Sequence, residues 1–383
     1  MRDKSVLLLG SYGQSNLGDD LLMWNYLEFL RDKGFTKIYV NANTTEYLPA
    51  PVKDSYPDLK IVNTYKTSLI DYVKLIKKVD AIVYGGGTLY KELYSSTGRS
   101  PYSVIIRMMG FNIIARLLGA RLYHLHIGIG SLETTIGKFI SKCALQAATL
   151  TVFRDQKSYD IAKNELKISP TRIMKSTDGL FINHVWEKVW DKAPLLIDRK
   201  KYPHVIGINV LSDIPDWVDR EQYIAVMREF VKEHISKKDT YLVFIPFQTA
   251  FNPRNDLVFT EETFGGIVKN KKNVTILHDV PINYISSYLQ LCDVFVGMRF
   301  HSLLLSAVAG VPFVAVAYDT KCWRFIEEAN YPYAIELEKL TLHSLQKAYE
   351  NARGNQKETK QLLDGVAAAL YKEAEEGLRK LHL

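Results

Sequence analysis

Short apolar runs recur along the chain, each closed by a glycine turn or polar cluster and followed by a stretch with helical spacing. SVLLLG (5–10), KIYVN (37–41), AIVYGGG (81–87), RLYHLHIG (121–128) and LTVFRD (150–155) predict strands. Helices are predicted between them over 19–33, 68–78, 103–118 and 133–148. The strand runs are continuous rather than alternating, the pattern of parallel strands buried on both faces. Residues 179–203 lose the pattern and predict a connection. It resumes with strands at 204–210, 240–246, 273–277, 294–297 and 313–318, alternating with helices over 220–237, 255–269, 282–291 and 301–309. The expected fold is α/β, with two doubly wound, Rossmann-like domains facing each other across a cleft. The boundaries read from the pattern are 1–180, a linker over 181–203, and 204–383, which ends in an amphipathic helix over 355–382.

In open parallel sheets, ligands bind outside the carboxyl ends of the strands, so residues there are the candidates. In DVFVGMRFHSLLL (293–305) a core strand hands over to a core helix through Arg299, Phe300 and His301. An arginine beside a helix N-terminus makes a receptor for carboxylate or phosphate, and a histidine two residues on can move a proton near neutral pH. The plainer alternative pairs Arg299 with a surface carboxylate and has His301 merely cap its helix. GSYGQSNLGDDLL (10–22) puts Gly10, Gly13 and Gly18 where backbone can approach a ligand, with Asn16 and Asp19 as hydrogen-bonding groups. Its acidic pair Asp19–Asp20 opposes a phosphate, so a sugar-hydroxyl or acid/base site fits better than a dinucleotide; a turn capped by Asp19 remains open. YGGGTLY (84–90) offers the N–H groups of Gly86 and Gly87 to an anion or serves as a tight turn. Arg154 ends another strand with a charge, with Asp155 as its near partner. His124 and His126 alternate and are expected to share a face. No third ligand stands at zinc-like spacing, and no Walker loop, G-x-S-x-G or C-x-x-C occurs, so neither metal nor nucleotide cofactor is expected.

Composition narrows the partners. A chain of 383 residues, 47% hydrophobic and 24% charged, is long enough for about two to three domains and can bury full cores. Its net charge of +7 favours acidic partners: nucleic acid, anionic headgroups or phosphorylated small molecules. The unpaired spacing of Cys143, Cys292 and Cys322 predicts reduced thiols and a cytoplasmic protein. The N-terminal apolar run is too short for a signal peptide, and no run reaches the length of a membrane span.

Taken in order, SYGQSNLGDD, GGGTL, HIGIGSL, FRDQKS, STDGLF and MRFHSLLLSAVAGVPFVAVAYDTK resemble the polysaccharide pyruvyl transferase family, from residue 10 to about 325. The resemblance implies a two-domain fold like that of the GT-B glycosyltransferases. It implies transfer of pyruvate from phosphoenolpyruvate to a sugar of a cell-surface glycan or its lipid-linked precursor, as a cyclic ketal and without cofactor. It assigns Arg299 and His301 to the phosphoenolpyruvate site in the C-terminal domain, and leaves the acceptor to the N-terminal one. Arg154 or Lys321 is a second cation for the donor, Asp19 or Asp319 a base, and Phe300, Tyr318, Asn16, Gly18, Gly86 and Gly87 complete the expected binding set. The family more often has Y-D-P-K where Tyr318–Asp319–Thr320–Lys321 stands here, and Asn209 occupies a strand end where relatives can carry a cation. Nucleic acid is not an expected partner, and oligomeric state is left open.

Two other functions fit the pattern: a nucleotide-sugar glycosyltransferase of the same fold, or a ligand-binding protein that closes without chemistry. SVIIRMMGFNIIARLL (103–118) is apolar almost all round. It is either a core helix whose Arg107 and Arg116 reach the solvent edge, or a contact with the inner face of the cell membrane.

Overall fold

The computed structural model describes residues 4–42, 48–63, 66–93, 98–182, 192–250 and 255–379. Two compact units divide the chain: Met1–Gln14, Asp19–Val185 and Leu370–Leu383 form the first, Ser15–Gly18 and Trp186–Ala369 the second. The boundary read from the sequence differs at two places, because Ser15–Gly18 contacts the second unit and the end of the last helix contacts the first. Lys175 pairs with Glu373 at 2.5 Å, and the Phe181 and Tyr371 rings meet edge to face. Of the expected linker, residues 183–191 lie outside the described residues.

In the first unit β1 (Lys4–Tyr12), α1 (Leu17–Asp32), β2 (Phe35–Ala42), α2 (Ala50–Ser55), β3 (Lys60–Asn63), α3 (Leu69–Ile76), β4 (Ala81–Gly85), β5 (Thr88–Tyr90) and α4 (Ser103–Leu117) follow in order. They continue with β6 (Arg121–Ile129), α5 (Thr135–Ala147), β7 (Leu150–Phe153), α6 (Gln156–Asp160) and β8 (Ile173–Lys175). All described pairings are parallel, in the order β3-β2-β1-β4-β6-β7-β8, with β5 alongside β6. The strand order reverses between β1 and β4, so their carboxyl ends, Gly10–Tyr12 and Gly85–Gly87, form the switch point. The central strands carry apolar residues on both faces, and Val6, Leu7, Leu8, Ile82 and Val83 are wholly buried.

The second unit runs β9 (His204–Ile208), α7 (Arg220–Ser236), β10 (Thr240–Phe244), α8 (Asp256–Val268), β11 (Val274–Ile276), α9 (Ile285–Gln290), β12 (Val294–Gly297) and α10 (Phe300–Val308). It closes with β13 (Phe313–Ala317), α11 (Thr320–Glu328), β14 (Ala334–Glu336), α12 (Leu342–Gly354) and α13 (Gln356–Arg379). Its parallel sheet has the order β11-β10-β9-β12-β13-β14, with the switch point between β9 and β12. Strands β3, β5, β8 and β14 fall outside the predicted runs, and parallel neighbours supply their pairing. No helix among the described residues is long and apolar enough to cross a membrane.

One expectation fails inside β6. His124 and His126 do not share a face, because the register with β7 slips between His124 and Ile127 and His126 takes a φ of 53°. This bulge turns His126 over. His124 meets Asn112 of α4 at 3.3 Å and Thr151 of β7 at 3.0 Å, whereas Nδ1 of His126 meets the Tyr26 hydroxyl of α1 at 2.9 Å. Both rings are wholly buried, and burial lowers His124 to about 3 and His126 to about 4. In the unfolded chain each binds a proton near the ordinary 6.5, so between about pH 4 and 6.5 the unfolded state holds more protons and stability rises with pH. The unfolding free energy, measured by urea titration, is expected to climb by about 1.4 kcal/mol per pH unit for each histidine across that window. His126→Gln should remove about half of that slope; an unchanged slope would mean that His126 is not held neutral by burial.

Candidate active site

At the second unit's switch point, β9 ends in Ile208–Asn209 and β12 in Gly297–Arg299. Asn209 stitches the two ends together. Its Oδ1 accepts from the Arg299 backbone N–H at 3.0 Å and its Nδ2 donates to the Ile245 carbonyl beyond β10 at 3.2 Å. A cation in its place would offer no acceptor to the Arg299 N–H, which accounts for the asparagine.

Most helices here begin on a short polar cap: Thr134, Asp155, Asp219, Asn255 and Asp319 each accept from a first-turn N–H. The N-cap of α10 is Arg299 instead, and its side chain makes no cap. The positive end of the helix and the guanidinium therefore lie together, an arrangement that favours an anion.

The guanidinium is held by Asp256, the first residue of α8. Arg299 Nε donates to one carboxylate oxygen at 3.0 Å and Nη2 to the other at 2.6 Å. Asp256 is fully buried, and it also accepts from the Ser212 hydroxyl at 2.8 Å and from the backbone of Ser212 and Gln248. Burial works against the Arg299 charge, but the Asp256 carboxylate outweighs it and holds the group above the usual arginine range. Only the Nε–Nη2 edge of the fork is used. Among the described residues Nη1 has no hydrogen-bond partner, and 16% of the side chain stays accessible. An arginine fixed on one edge and open on the other is oriented for a ligand anion.

His301 follows in the first turn of α10, half-buried, with its ring against Phe300. Gly18 lies on the other side: a Cβ there would stand 1.8 Å from His301 Nδ1. Gly18 is therefore the residue that lets the 15–18 segment lie flat on the imidazole. Backbone bonds hold that segment to the end of β10, from Leu17 N–H to the Phe247 carbonyl at 2.9 Å and from Thr249 N–H to the Ser15 carbonyl at 3.0 Å. Asn16 bridges Gln248, and its Oδ1 accepts from Gly18 N–H at 3.2 Å.

Tyr318, Asp319 and Lys321 complete the cluster after β13. Lys321 Nζ lies 3.3 Å from Asp319, 5.7 Å from the Phe300 ring centre and 5.9 Å from that of Tyr318. Burial pushes the Tyr318 hydroxyl up to about 12 against the opposing charge of Lys321, so it is a neutral donor. Burial alone would raise Asp319, but Lys321 and the Cys322 N–H outweigh it and keep the carboxyl below its usual range.

The second unit thus gathers Asn16, Gly18, Arg299, Phe300, His301, Tyr318, Asp319 and Lys321. Asp19, Arg154, Gly86 and Gly87 belong to the first. Arg154 is corrected from a donor cation to part of a buried internal pair. Its Nη1 donates to Asp178 at 3.2 Å and its Nη2 to Thr88 at 2.8 Å, while the expected partner Asp155 caps α6. Gly86 and Gly87 form a turn. Their φ values are 73° and 85°, Gly86 N–H donates to the Leu125 carbonyl at 2.8 Å, and the Gly87 carbonyl accepts from Gly128 at 2.9 Å. Asp19 is half-buried in the first turn of α1, beside Asp20; burial and then the Asp19 charge raise Asp20 well above its usual range. Among the described residues no three His, Cys, Asp or Glu are grouped to hold a metal.

A family model described as polysaccharide pyruvyl transferase matches residues 16–320, a stretch that holds Asn16, Gly18, Asp256, Arg299 and His301. The chain belongs to the polysaccharide pyruvyl transferase family. The family points to polysaccharide pyruvyl transfer. No curated protein matches the sequence. Among solved structures it is similar to the UDP-GlcNAc 2-epimerase of Neisseria meningitidis bound to UDP-GlcNAc, at 9% identity over 98% of each chain and a TM-score of 0.61. A glycosyltransferase from Rickettsia africae aligns at 12% identity over 98% of this chain and 99% of that one, with a TM-score of 0.58. The UDP-GlcNAc 2-epimerase of Methanocaldococcus jannaschii aligns at 14% over 95% and 99%, with a TM-score of 0.57. Identities this low bear on the fold alone, which is GT-B-like.

The sequence reading did not single out Asp256 or Ser212, and noted Asn209 only as a strand end where relatives can carry a cation. The signal for Asp256 was its place in the first turn of the helix that follows β10, a carboxyl-end position like that of Arg299. Asp256→Asn is expected to lower the unfolding free energy by on the order of 3 kcal/mol, because it strands a mostly buried guanidinium. Adding Arg299→Met should recover much of that loss, as removing both charges is far less costly than removing one. A double variant no more stable than Asp256→Asn would mean that the pair is not what holds this corner together.

Proposed function

We propose that the protein transfers pyruvate from phosphoenolpyruvate to a sugar of a cell-surface glycan or its lipid-linked precursor, forming a ketal and releasing phosphate. The observation that carries this is the open Nη1 edge of Arg299, fixed by Asp256 beside His301 at a strand–helix junction, in a chain of the pyruvyl transferase family.

Phosphoenolpyruvate carries a carboxylate and a phosphate on one small carbon frame. Arg299 takes one of them, supported by the positive end of α10, and Lys321 is a further cation of the cluster. His301 gives a proton to the methylene carbon, which becomes the methyl group and leaves C2 electron-poor. A sugar hydroxyl bonds to C2 and gives up its proton to a carboxylate. Asp319, held ionised by Lys321, is suited to that, and a second hydroxyl of the same sugar gives its proton to the departing phosphate. That second hydroxyl then bonds to C2 as the C2–O bond to phosphate breaks, closing the ring. Carboxylate charge near C2 favours the positive charge that develops there.

Incubation with phosphoenolpyruvate and a panel of free and lipid-linked glycans should release phosphate and give a product heavier by one pyruvate ketal, with EDTA present. Arg299→Ala should weaken phosphoenolpyruvate binding by about 1.5–3 kcal/mol. His301→Ala should bind it and lose turnover by roughly 10²–10⁴-fold, and Gly18→Ala should lose turnover by displacing the His301 ring. Turnover only with a nucleotide sugar, restored by a divalent cation, would replace this reading with glycosyl transfer.

A further inference from the structure

Two neighbouring helices of the first unit carry an outward face that pyruvyl transfer does not use. α4 buries Ile105, Met108, Asn112 and Ala115. Its opposite stripe is apolar as well, with Ile106, Ile113 and Leu117 exposed by 47%, 38% and 79%. On α5, packed beside it, Ile136 and Phe139 are exposed by 58% and 64%. These five are half of the ten large apolar side chains that the described residues leave in solvent. Scattered singly they would need no explanation, but gathered on adjacent helices they form a patch.

The two helices themselves carry charge of one sign. Neither Ser103–Leu118 nor Thr135–Ala147 contains an Asp or Glu, whereas Arg107, Arg116, Lys138 and Lys142 are all present. Of these, Lys138 is paired with Glu165 at 2.7 Å. At about 100° per residue, Arg107 and Arg116 fall about 90° to either side of the apolar stripe. From there a long side chain can lie along apolar surface while its charged head stays in water.

Between α4 and α5 lies a groove of about 430 Å³, lined among others by Ile113, Arg116, Gln146 and Arg172. Arg116 and Arg172 both donate to the Gln146 carbonyl, at 2.7 and 2.8 Å. Two guanidinium groups converge on one neutral oxygen, and among the described residues neither has a carboxylate partner. A phosphate set between them would relieve the repulsion and match both forks. A second copy of the same face would bring like charge onto like. An anionic bilayer answers the apolar stripe and the basic rim together.

We propose that the α4–α5 face is a docking surface for an anionic membrane. A lipid phosphate sits between Arg116 and Arg172, and Ile106, Ile113, Leu117 and Phe139 enter the boundary between headgroups and acyl chains. The test is co-sedimentation of the full chain with phosphatidylcholine vesicles, with and without phosphatidylglycerol, at low and high salt. Binding is expected only to the phosphatidylglycerol vesicles and should weaken with salt. Arg116→Gln with Arg172→Gln should weaken it by roughly 30-fold, and Phe139→Asp should weaken it too, with melting temperatures unchanged because these side chains are at the surface. No binding at low salt, or equal binding to pure phosphatidylcholine, would overturn the proposal. So would a dimer in vesicle-free solution that Phe139→Asp dissociates, since the face would then belong to a second copy.

Discussion

The ion pair between Arg299 and Asp256 is the constraint on which the candidate site turns. A fully buried carboxylate next to a mostly buried guanidinium is costly to desolvate, and the geometry compensates only through two short, nearly parallel hydrogen bonds and the further donors from Ser212 and Gln248. That requirement fixes three strand ends at once. β9 must deliver Asn209 and Ser212, β10 must lead into Gln248 and Asp256, and β12 must stop where Arg299 can reach across. The result is a cation that cannot swing away, fixed on one edge and open on the other.

The same fold position has the opposite outcome in the first unit. Arg154 also ends a parallel strand, before α6, yet Asp178 and Thr88 take its guanidinium and only 5% of the side chain is accessible. Tyr26 and His126 share a hydrogen bond under a bulge, and the Gly86 N–H and Gly87 carbonyl bond to residues of β6. These are internal polar networks, in which removing one member strands its buried partners. What separates Arg299 from Arg154 is which edges of the fork the protein itself occupies.

Glycine has separate uses at these ends. Gly86 and Gly87 are required by their left-handed backbone. Gly18 is required by space alone, since any side chain there would enter the His301 ring. A motif of glycines after a strand therefore does not by itself announce a phosphate site; the neighbour that the missing Cβ admits is what gives the position its meaning.

The sequence by itself determined the two parallel α/β sheets, because continuous apolar runs at regular spacing can be satisfied only by strands covered on both faces. It also marked Arg299 and His301, since charge at the junction of a core strand and a core helix stands out against its surroundings. It could not decide Arg154 from Arg299, or place His126 on the face opposite His124, because both depend on partners distant in the chain: Asp178 against Asp256, and a one-residue slip against β7. Asp256 itself did not stand out, for the same reason. A carboxylate in the first turn of a helix reads as an ordinary complement to the helix dipole until the fold brings a guanidinium to it from 43 residues away.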